Sequence, residues 1–377
     1  MQPGSGGPPQ IIVSAYYLPQ FHPTVENDEW WGQGFTEWTN VARARPLYPG
    51  HRQPQLPGAL GFYDLRTPEV RLQQADMART AGVTAFGYWH YWFDGRLILQ
   101  RPSEEVLSSG QPDFPFYFAW ANESWTGHWH GLEKSMLLEQ TYPGAQDDRR
   151  HFDYLAPFFH DPRHLRIDGR PVFSLYKPAQ IPKLEAMLER WNTMAVESGL
   201  SGIYWVGQAD GADDLTQLTT LLDRVHLNPQ TYWAPLFSVP GRILHWARLP
   251  RLIDATKTAA LIADSLRRTP DLAACVLPNW DNTPRSQRRG WVMVRDQIQS
   301  FVDQLDVAYA HEVERCARTG HEGLIVIKSW NEWAEGNCLE PGGTWGNGYL
   351  DAVRSAAQRW TPLQGHPPVT TGDSPVH

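Results

Sequence analysis

Short apolar runs alternate along the chain with longer stretches in which apolar residues recur at helical spacing. The first run extends from Ile11 to Tyr17, and the first long helical stretch begins at Pro68. Thr67 is suited to cap that helix, and Gly82 is suited to end it. Because strands that alternate with helices are typical of βα units, the pattern predicts an α/β protein with a parallel sheet.

Seven further apolar runs predict the remaining strands of the sheet. They are Val83 to Trp89, Phe116 to Trp120, Pro171 to Tyr176, Ile203 to Gly207, Arg224 to Asn228, Ala274 to Leu277 and Leu324 to Ile327. Eight strands with helical connections favour a single (β/α)8 TIM barrel with long βα loops. A doubly wound sheet is the alternative, but LPQFHPTVEND follows the first strand where that fold carries a Gly-rich phosphate turn.

The two ends of the chain differ from the rest in composition. Residues 1–10 are rich in Gly and Pro and lack the basic start and apolar stretch of a secretory signal, so we expect a flexible leader. Residues 363–377 are rich in Pro, Thr and Gly and are predicted to be disordered. The barrel is therefore expected to cover residues 11–362.

Charge and cysteine content narrow the class of protein further. The net charge of −8 argues against a nucleic-acid partner, and no apolar run of about 18 residues predicts a membrane span. Three cysteines without a CxxC pair argue against a disulfide scaffold or a structural zinc site. We expect a reduced, cytoplasmic protein whose oligomeric state the sequence does not indicate.

Aromatic and polar side chains cluster directly after five of the predicted strands. A single residue of this kind more often packs or forms a turn, but loops at the carboxyl ends of barrel strands build active sites. Indole faces and hydroxyl-binding amides together suit a carbohydrate. The candidate substrate-binding residues are Tyr17, His22, Glu37, Trp38, Trp89, His90, Tyr91, Trp120, Asn122, Trp125, Trp280, Asp281, Asn282, Trp330, Asn331 and Trp333.

The segment SWNEWAEG, at residues 329–336, places Glu332 and Glu335 three positions apart after the last strand. In a helical turn the two side chains share a face. Neighbouring carboxylates separate their pKa values, so one can hold a proton while the other is ionised. Cleavage of a glycosidic bond needs that division of roles. The alternative interpretation is an exposed helix start with favourable acidic residues.

Other side chains offer alternative chemistry. Glu123 also follows a strand, and it could act as the acid with Glu332 as the nucleophile, about 5–5.5 Å apart. His128 and His130 would share a face in a strand, but no third ligand is evident, so we expect no metal.

Six motifs resemble one known group of proteins over the range from Ile11 to Tyr349. They are AYYLPQFHP, WWGQGFTEWTNV, FGYWHYWFDGRLILQRP, FPFYFAWANESWT, WDNTPR and SWNEWAEGNCLEP. The group is the WbsX proteins of polysaccharide gene clusters, which are labelled glycosyltransferases but are similar to the endo-α-mannosidases of glycoside hydrolase family 99. The resemblance implies a (β/α)8 enzyme that needs no cofactor and retains anomeric configuration.

The resemblance also implies roles for the two carboxylates. Residues 332–336 match the Glu-Trp-x-Glu-Gly element of the mannosidases. By that match, Glu332 deprotonates the sugar 2-hydroxyl, which attacks the anomeric carbon, and Glu335 is the acid and then the base. The implied substrate is an α-mannoside or α-rhamnoside in a microbial surface polysaccharide.

Two rival functions remain open at this point. A glycosyltransferase of polysaccharide biosynthesis needs a site for a pyrophosphate, to which Arg96, Arg101 and Arg285 could contribute. A non-catalytic carbohydrate-binding barrel needs the aromatic residues but has no use for the glutamate pair.

Overall fold

The computed structural model describes residues 10–126, 136–233 and 249–360, together with Ile243, Trp246 and Ala247. Eight parallel strands of these residues form one sheet. They are β1 (Ile11–Tyr17), β2 (Ala85–Phe93), β3 (Phe116–Trp120), β4 (Arg170–Leu175), β5 (Tyr204–Ala209), β6 (Arg224–Leu227), β7 (Ala274–Val276) and β8 (Gly323–Ile327). The predicted leader and tail lie, apart from Gln10, outside the described residues.

The strand order β6-β5-β4-β3-β2-β1-β8-β7 places the two ends of the sheet next to each other. Val225 of β6 forms a parallel bridge with Leu272, just before β7. The N–H of Ala273 donates to the Val225 carbonyl across the same gap at 2.8 Å. These contacts bring β6 and β7 together, so the predicted (β/α)8 barrel is confirmed.

One helix follows each strand and packs on the outside of the barrel. These helices are α1 (Pro68–Ala81), α2 (Arg101–Ser109), α3 (Ala145–His160), α4 (Leu184–Glu197), α5 (Ala212–Leu218), α6 (Ala255–Arg268), α7 (Gln297–Thr319) and α8 (Gly348–Trp360). Helix α1 begins and ends where the sequence predicts, and Gly82 ends it with a φ of 89° that glycine adopts without steric cost. No helix of the described residues is both long and apolar enough to cross a membrane.

The βα loops carry short elements of their own. Short helices span Val25–Trp31, Glu37–Arg43 and Thr283–Ser286. Two short strands pair antiparallel with strands of the barrel, Arg96–Ile98 with β2 and Arg166–Ile167 with β4. Two further antiparallel pairs lie within the loops, Trp125–Thr126 with Met136–Leu138 and Asn331–Glu332 with Asn337–Cys338. Arg251–Asp254 pairs in parallel with Trp291–Val294.

Strand β2 differs most from its predicted range. The prediction ended at Trp89, but the strand continues to Phe93 because its last three residues pair with Arg96–Ile98. All nine residues of β2 are buried, so its aromatic end belongs to the structured wall of the barrel and not to a loose loop.

The barrel interior is polar and aromatic beneath its carboxyl end. Tyr16 of β1 lies within 2.9 Å of His226 Nε2 and 3.3 Å of Ser174 Oγ. Its ring stacks on Trp89, with 4.5 Å between ring centroids. Burial of a large aromatic side chain stabilises a fold by about 1.5–3 kcal/mol, so this buried layer stabilises the end of the barrel that carries the loops.

Candidate active site

The segment after β8 holds both candidate catalytic glutamates, but not on the helical turn that the spacing suggested. Glu332 lies on the strand pair Asn331–Glu332 with Asn337–Cys338, and Glu335 ends a single 3-10 turn that Gly336 terminates with a φ of 62°. The Asn331 side chain fixes this conformation. Its Oδ1 accepts from the Leu18 N–H at 2.7 Å, and its Nδ2 donates to the Leu18 carbonyl at 3.0 Å.

A cleft at the carboxyl end of the barrel contains both glutamates. The loops after several different strands contribute to its wall. The lining residues are Leu18, Gln20, Trp31, Trp89, Tyr91, Ala121, Glu123, Ser124, Trp125, Thr126, Leu137, Tyr176, Arg285, Lys328, Glu332 and Glu335. Five tryptophan or tyrosine rings among them, with the polar groups between, suit a ligand that has apolar faces and many hydroxyls.

Glu332 and Glu335 are both buried, and their carboxyl groups share a hydrogen bond. Burial, and then the nearby charge of Glu335, raises the pKa of Glu332 to about 8. Burial alone raises the pKa of Glu335 as well, but Arg285 and the hydrogen bond from Glu332 outweigh it and lower that pKa. The pair therefore holds one proton at neutral pH, as one acid and one base require.

Two neighbouring side chains direct the proton of the pair. Trp89 Nε1 donates to Glu332 Oε1 at 2.8 Å, and Arg285 Nη1 donates to Glu335 Oε1 at 2.7 Å. Because the guanidinium contacts Glu335, the shared proton lies on Glu332. This placement is opposite to the roles implied by the resemblance, which need the proton on Glu335. A shift along the hydrogen bond between the carboxyls converts one arrangement into the other.

Glu37 is connected to the carboxylate pair through Arg285. It is fully buried, and its Oε1 accepts from Arg285 Nε at 2.7 Å. Its backbone N–H donates to the Gln20 carbonyl, which ties its helix to the loop after β1. Glu37 is not among the described lining residues, and its contact with Arg285 makes it a positioning residue.

Glu123 lines the same cleft as the pair. Burial raises the pKa of its carboxyl, while Lys177 and Lys328 act in the opposite direction. The neighbouring Asn122 faces away from the cleft: its side chain accepts from the Lys177 N–H at 2.8 Å and donates to Tyr142 Oη at 2.9 Å. Glu123 thus stays an alternative acid, whereas Asn122 fixes the loop that carries it.

A buried carboxylate that sequence reasoning missed, Glu340, organises several predicted contact residues. Its oxygens accept from Trp330 Nε1 at 2.9 Å and from Trp333 Nε1 at 2.6 Å. Tyr63 Oη and Gln74 Nε2 also donate to it, at 2.9 and 2.6 Å. Burial raises the pKa of Glu340 to about 7 against the effect of these four donors. Trp330 and Trp333 therefore belong to the framework below the cleft.

Further predicted contact residues lie in the same supporting layer, outside the described cleft wall. Each is buried and engaged by a neighbour. Three of them donate hydrogen bonds: Tyr17 Oη to Gln74 Oε1, Trp38 Nε1 to the Tyr63 carbonyl, and Trp120 Nε1 to the Trp92 carbonyl. The two histidines are also engaged, His22 with the Pro19 carbonyl and His90 with His151. Asn331 binds the backbone of Leu18. Their side chains are used within the fold, so the structure does not place them against a sugar in this cleft.

The motif WDNTPR holds the loop behind Glu335. The Asp281 N–H donates to the Glu335 carbonyl at 2.6 Å, and Asp281 Oδ2 accepts from His51 Nε2 at 2.8 Å. Asn282 Oδ1 accepts from the Trp291 N–H at 2.8 Å, and Trp280 packs against Trp233. These three predicted contacts, like those of the supporting layer, lie outside the described wall of the cleft.

Of the predicted binding residues, the structure brings Trp89, Tyr91 and Trp125 to the cleft. It adds others that the prediction did not assign as contacts, including Tyr176 and Lys328. Lys328 directly precedes the SWNE motif and Tyr176 ends a predicted strand, so their positions offered a signal. His128, Trp129 and His130 lie outside the described residues.

The sequence is similar to those of known proteins. The family model described as "Glycosyltransferase WbsX" matches residues 13–353. The "Uncharacterized protein WxcX" of Xanthomonas campestris pv. campestris is 34% identical over 352 residues, which are 93% of this chain and 50% of that protein. The chain thus spans about half the length of the curated relatives it matches.

Solved structures resemble the fold at low sequence identity. The GH99 endo-alpha-mannosidase from Bacteroides thetaiotaomicron has a TM-score of 0.54 at 16% identity, with 93% of this chain and 97% of that chain covered. A structure described as "Glycoside hydrolase-like protein" has a TM-score of 0.56 at 13% identity, with 94% and 97% covered. These likenesses agree with the barrel fold.

Proposed function

The chain belongs to the family described as "Glycosyltransferase WbsX", and we propose that it is a glycoside hydrolase that cleaves an α-glycosidic bond in a microbial surface polysaccharide. One observation carries the proposal. Glu332 and Glu335 share a hydrogen bond, and so one proton, in an aromatic cleft at the carboxyl end of the barrel. Glycosidic cleavage needs one protonated and one ionised carboxyl beside the scissile bond.

In the proposed first step, Glu332 takes the proton of the sugar 2-hydroxyl. The 2-oxygen attacks the anomeric carbon while Glu335 gives its proton to the leaving oxygen, and a 1,2-anhydro sugar forms. Because Arg285 keeps the proton on Glu332, the proton must first move to Glu335 along their hydrogen bond when the substrate binds. A sugar hydroxyl that donates to the Glu332 carboxyl stabilises its ionised form and so favours that shift.

In the second step, Glu335 takes a proton from water as the water oxygen attacks the anomeric carbon. The bond to the 2-oxygen breaks, and Glu332 returns its proton to that oxygen. Two inversions at one carbon retain the α configuration. An axial 2-hydroxyl is needed for attack on the face opposite the leaving group, so the proposed substrate is an α-mannoside or α-rhamnoside.

The fold and the family support this proposal in different ways. The endo-α-mannosidase from Bacteroides thetaiotaomicron shares the barrel, and residues 332–336 carry the Glu-Trp-x-Glu-Gly pattern. A positioned acid or base contributes about 10²–10⁴-fold to a rate. Arg285 and Trp89 hold one carboxyl each and give the pair the fixed geometry on which that contribution depends.

A glycosyltransferase is the second candidate, because two cations, Arg285 and Lys328, line the cleft. A transferase needs positive charge to stabilise the phosphates of a nucleotide-sugar donor. Arg285, however, is engaged by Glu37 and Glu335, which leaves one of the two cations for such a donor.

Product analysis tests the two candidates against each other. The full chain is incubated with α-mannosides, α-rhamnosides and bacterial surface polysaccharides, with and without nucleotide sugars, and the products are resolved by mass spectrometry. We expect shortened products that need no donor. Chain extension that depends on a nucleotide sugar, without shortening in its absence, would show that the second candidate is right.

A further inference from the structure

Lys328 is a buried cation in the candidate active site that has no acidic partner in the part of the chain that the structure describes. It directly follows β8, lines the cleft and is 5% exposed. Its backbone N–H donates to the Val276 carbonyl, but its ammonium group forms neither a hydrogen bond nor an ion pair with any described residue.

Two other cations near the cleft show the usual arrangement. Arg285 is paired with Glu37 and Glu335, each at 2.7 Å. Lys177 Nζ lies 2.6 Å from Asp210 Oδ2. Buried charges are expensive unless they are paired, and these two cations meet that requirement. Lys328 has no such pair among the described residues, and it lies in the cleft wall, where an anionic group of a ligand can pair with it.

Two aromatic rings lie near the ammonium group of Lys328, but neither carries a negative charge that would neutralise it. Its Nζ lies 5.7 Å from the ring centroids of both Tyr176 and Trp280. Such contacts orient a cation, but they do not provide an oxygen acceptor for its three N–H groups. The ammonium is therefore held in place, with its donors left for a group in the cleft.

The carboxyls of the cleft do not neutralise Lys328 by contact. Glu335 is already paired with Arg285, and Glu332 is engaged by Trp89 and by Glu335. Lys328 interacts with Glu332, Glu335, Glu123 and Asp210 through longer-range electrostatics and contacts none of them directly. The cation next to the pair is thus the natural position for an anion that arrives with the substrate.

We infer that the substrate carries an acidic group, a carboxylate or a phosphate, that binds Lys328 Nζ while the sugar lies against Glu332 and Glu335. This inference rests on the proposed function, because it names the chemical class of the ligand of that same site. A uronic acid residue of an acidic polysaccharide supplies a carboxylate. The phosphate of a glycosyl donor supplies the same chemistry from another source.

Equilibrium binding to the full chain tests the inference without any need for turnover. Methyl α-D-mannoside, methyl α-D-mannuronide and inorganic pyrophosphate are titrated separately, and tryptophan fluorescence reports binding because Trp31, Trp89 and Trp125 line the cleft. We expect at least one anion to bind at least about tenfold more tightly than the neutral mannoside, as a charge-assisted hydrogen bond provides. Preference for the uronide identifies an acidic polysaccharide, and preference for pyrophosphate identifies a phosphorylated donor.

Variants assign that preference to the lysine. Lys328→Gln should abolish the preference for the anion, Lys328→Arg should retain it, and Lys177→Gln should leave it intact because that lysine is already paired. The inference is overturned if the unmodified chain binds no anion more tightly than the neutral mannoside, or if Lys328→Gln keeps the preference. Loss of bond cleavage with anion binding preserved would instead contradict the hydrolase proposal alone.

Discussion

Arg285 Nη1 donates a 2.7 Å hydrogen bond to Glu335 Oε1, so the guanidinium lies on one member of the carboxylate pair and not evenly between the two. The opposite side of the same guanidinium contacts the buried Glu37. This asymmetric contact helps to separate the pKa values of Glu332 and Glu335. Catalysis by the pair should therefore depend on Arg285 and on pH in predictable ways.

The pH dependence of kcat/KM should report the single proton of the pair. Glu332 loses its proton as the pH rises through about 8, and Glu335 gains one only below its ordinary value of 4.5. We expect a plateau between these limits and a decline above pH 8 that approaches tenfold per pH unit. Initial rates across a series of buffers at constant ionic strength check this, and a rate that stays constant to pH 10 would contradict it.

Replacing Arg285 with Gln should change both activity and stability. Without the cation, the pKa of Glu335 rises, so the acidic limb of the pH profile moves to higher pH. Glu37 also loses its partner while fully buried, which should lower the free energy of unfolding by about 3–5 kcal/mol. Urea denaturation and the pH profile of the same sample measure the two effects.

The matched control for that variant is Arg288→Gln, because Arg288 is exposed in the same loop. A surface change of this kind should alter the unfolding free energy by less than about 0.5 kcal/mol. If Arg285→Gln has the stability and the pH profile of this control, Arg285 does not hold the carboxylates together.

Glu340 should contribute to stability and not to the chemical step. Replacing it with Ala leaves four buried donors, those of Tyr63, Gln74, Trp330 and Trp333, without an acceptor. Each unsatisfied donor costs about 1–3 kcal/mol, so we expect a loss of at least about 3 kcal/mol in unfolding free energy. Thermal and urea unfolding measure it, with exposed Glu314→Ala as the control. Equal stability of the two variants would show that the network is unimportant.

The barrel could be predicted from the sequence because its signals are local. Apolar runs such as Ile11–Tyr17 and the Pro68 start and Gly82 stop of α1 depend on neighbouring residues alone. The turn at Trp333–Glu335 could not, because Asn331 sets it by binding Leu18, which is 313 positions away. A helical assignment from spacing ignores a contact of that kind.

The position of the site was also predictable, but the distribution of roles within it was not. Trp89 and Trp330 both follow the same sequence pattern, yet Trp89 donates to Glu332 in the cleft and Trp330 to Glu340 below it. Which side of a strand end faces the cleft depends on the pairing of the whole barrel. Arg285 and Glu37 illustrate the same limit, since 248 residues separate two side chains that share one hydrogen bond.

Cleavage kinetics of three single-carboxylate variants test the central claim most directly. Glu335→Gln, Glu332→Gln and Glu123→Gln are compared with the unmodified chain on a substrate that the product analysis identifies, and ligand binding is measured in parallel. The account predicts that Glu335→Gln and Glu332→Gln each lower kcat by at least about 10²–10⁴-fold with binding retained, while Glu123→Gln has a much smaller effect. Full activity of Glu335→Gln together with an inactive Glu123→Gln would contradict the account and assign the acid to Glu123.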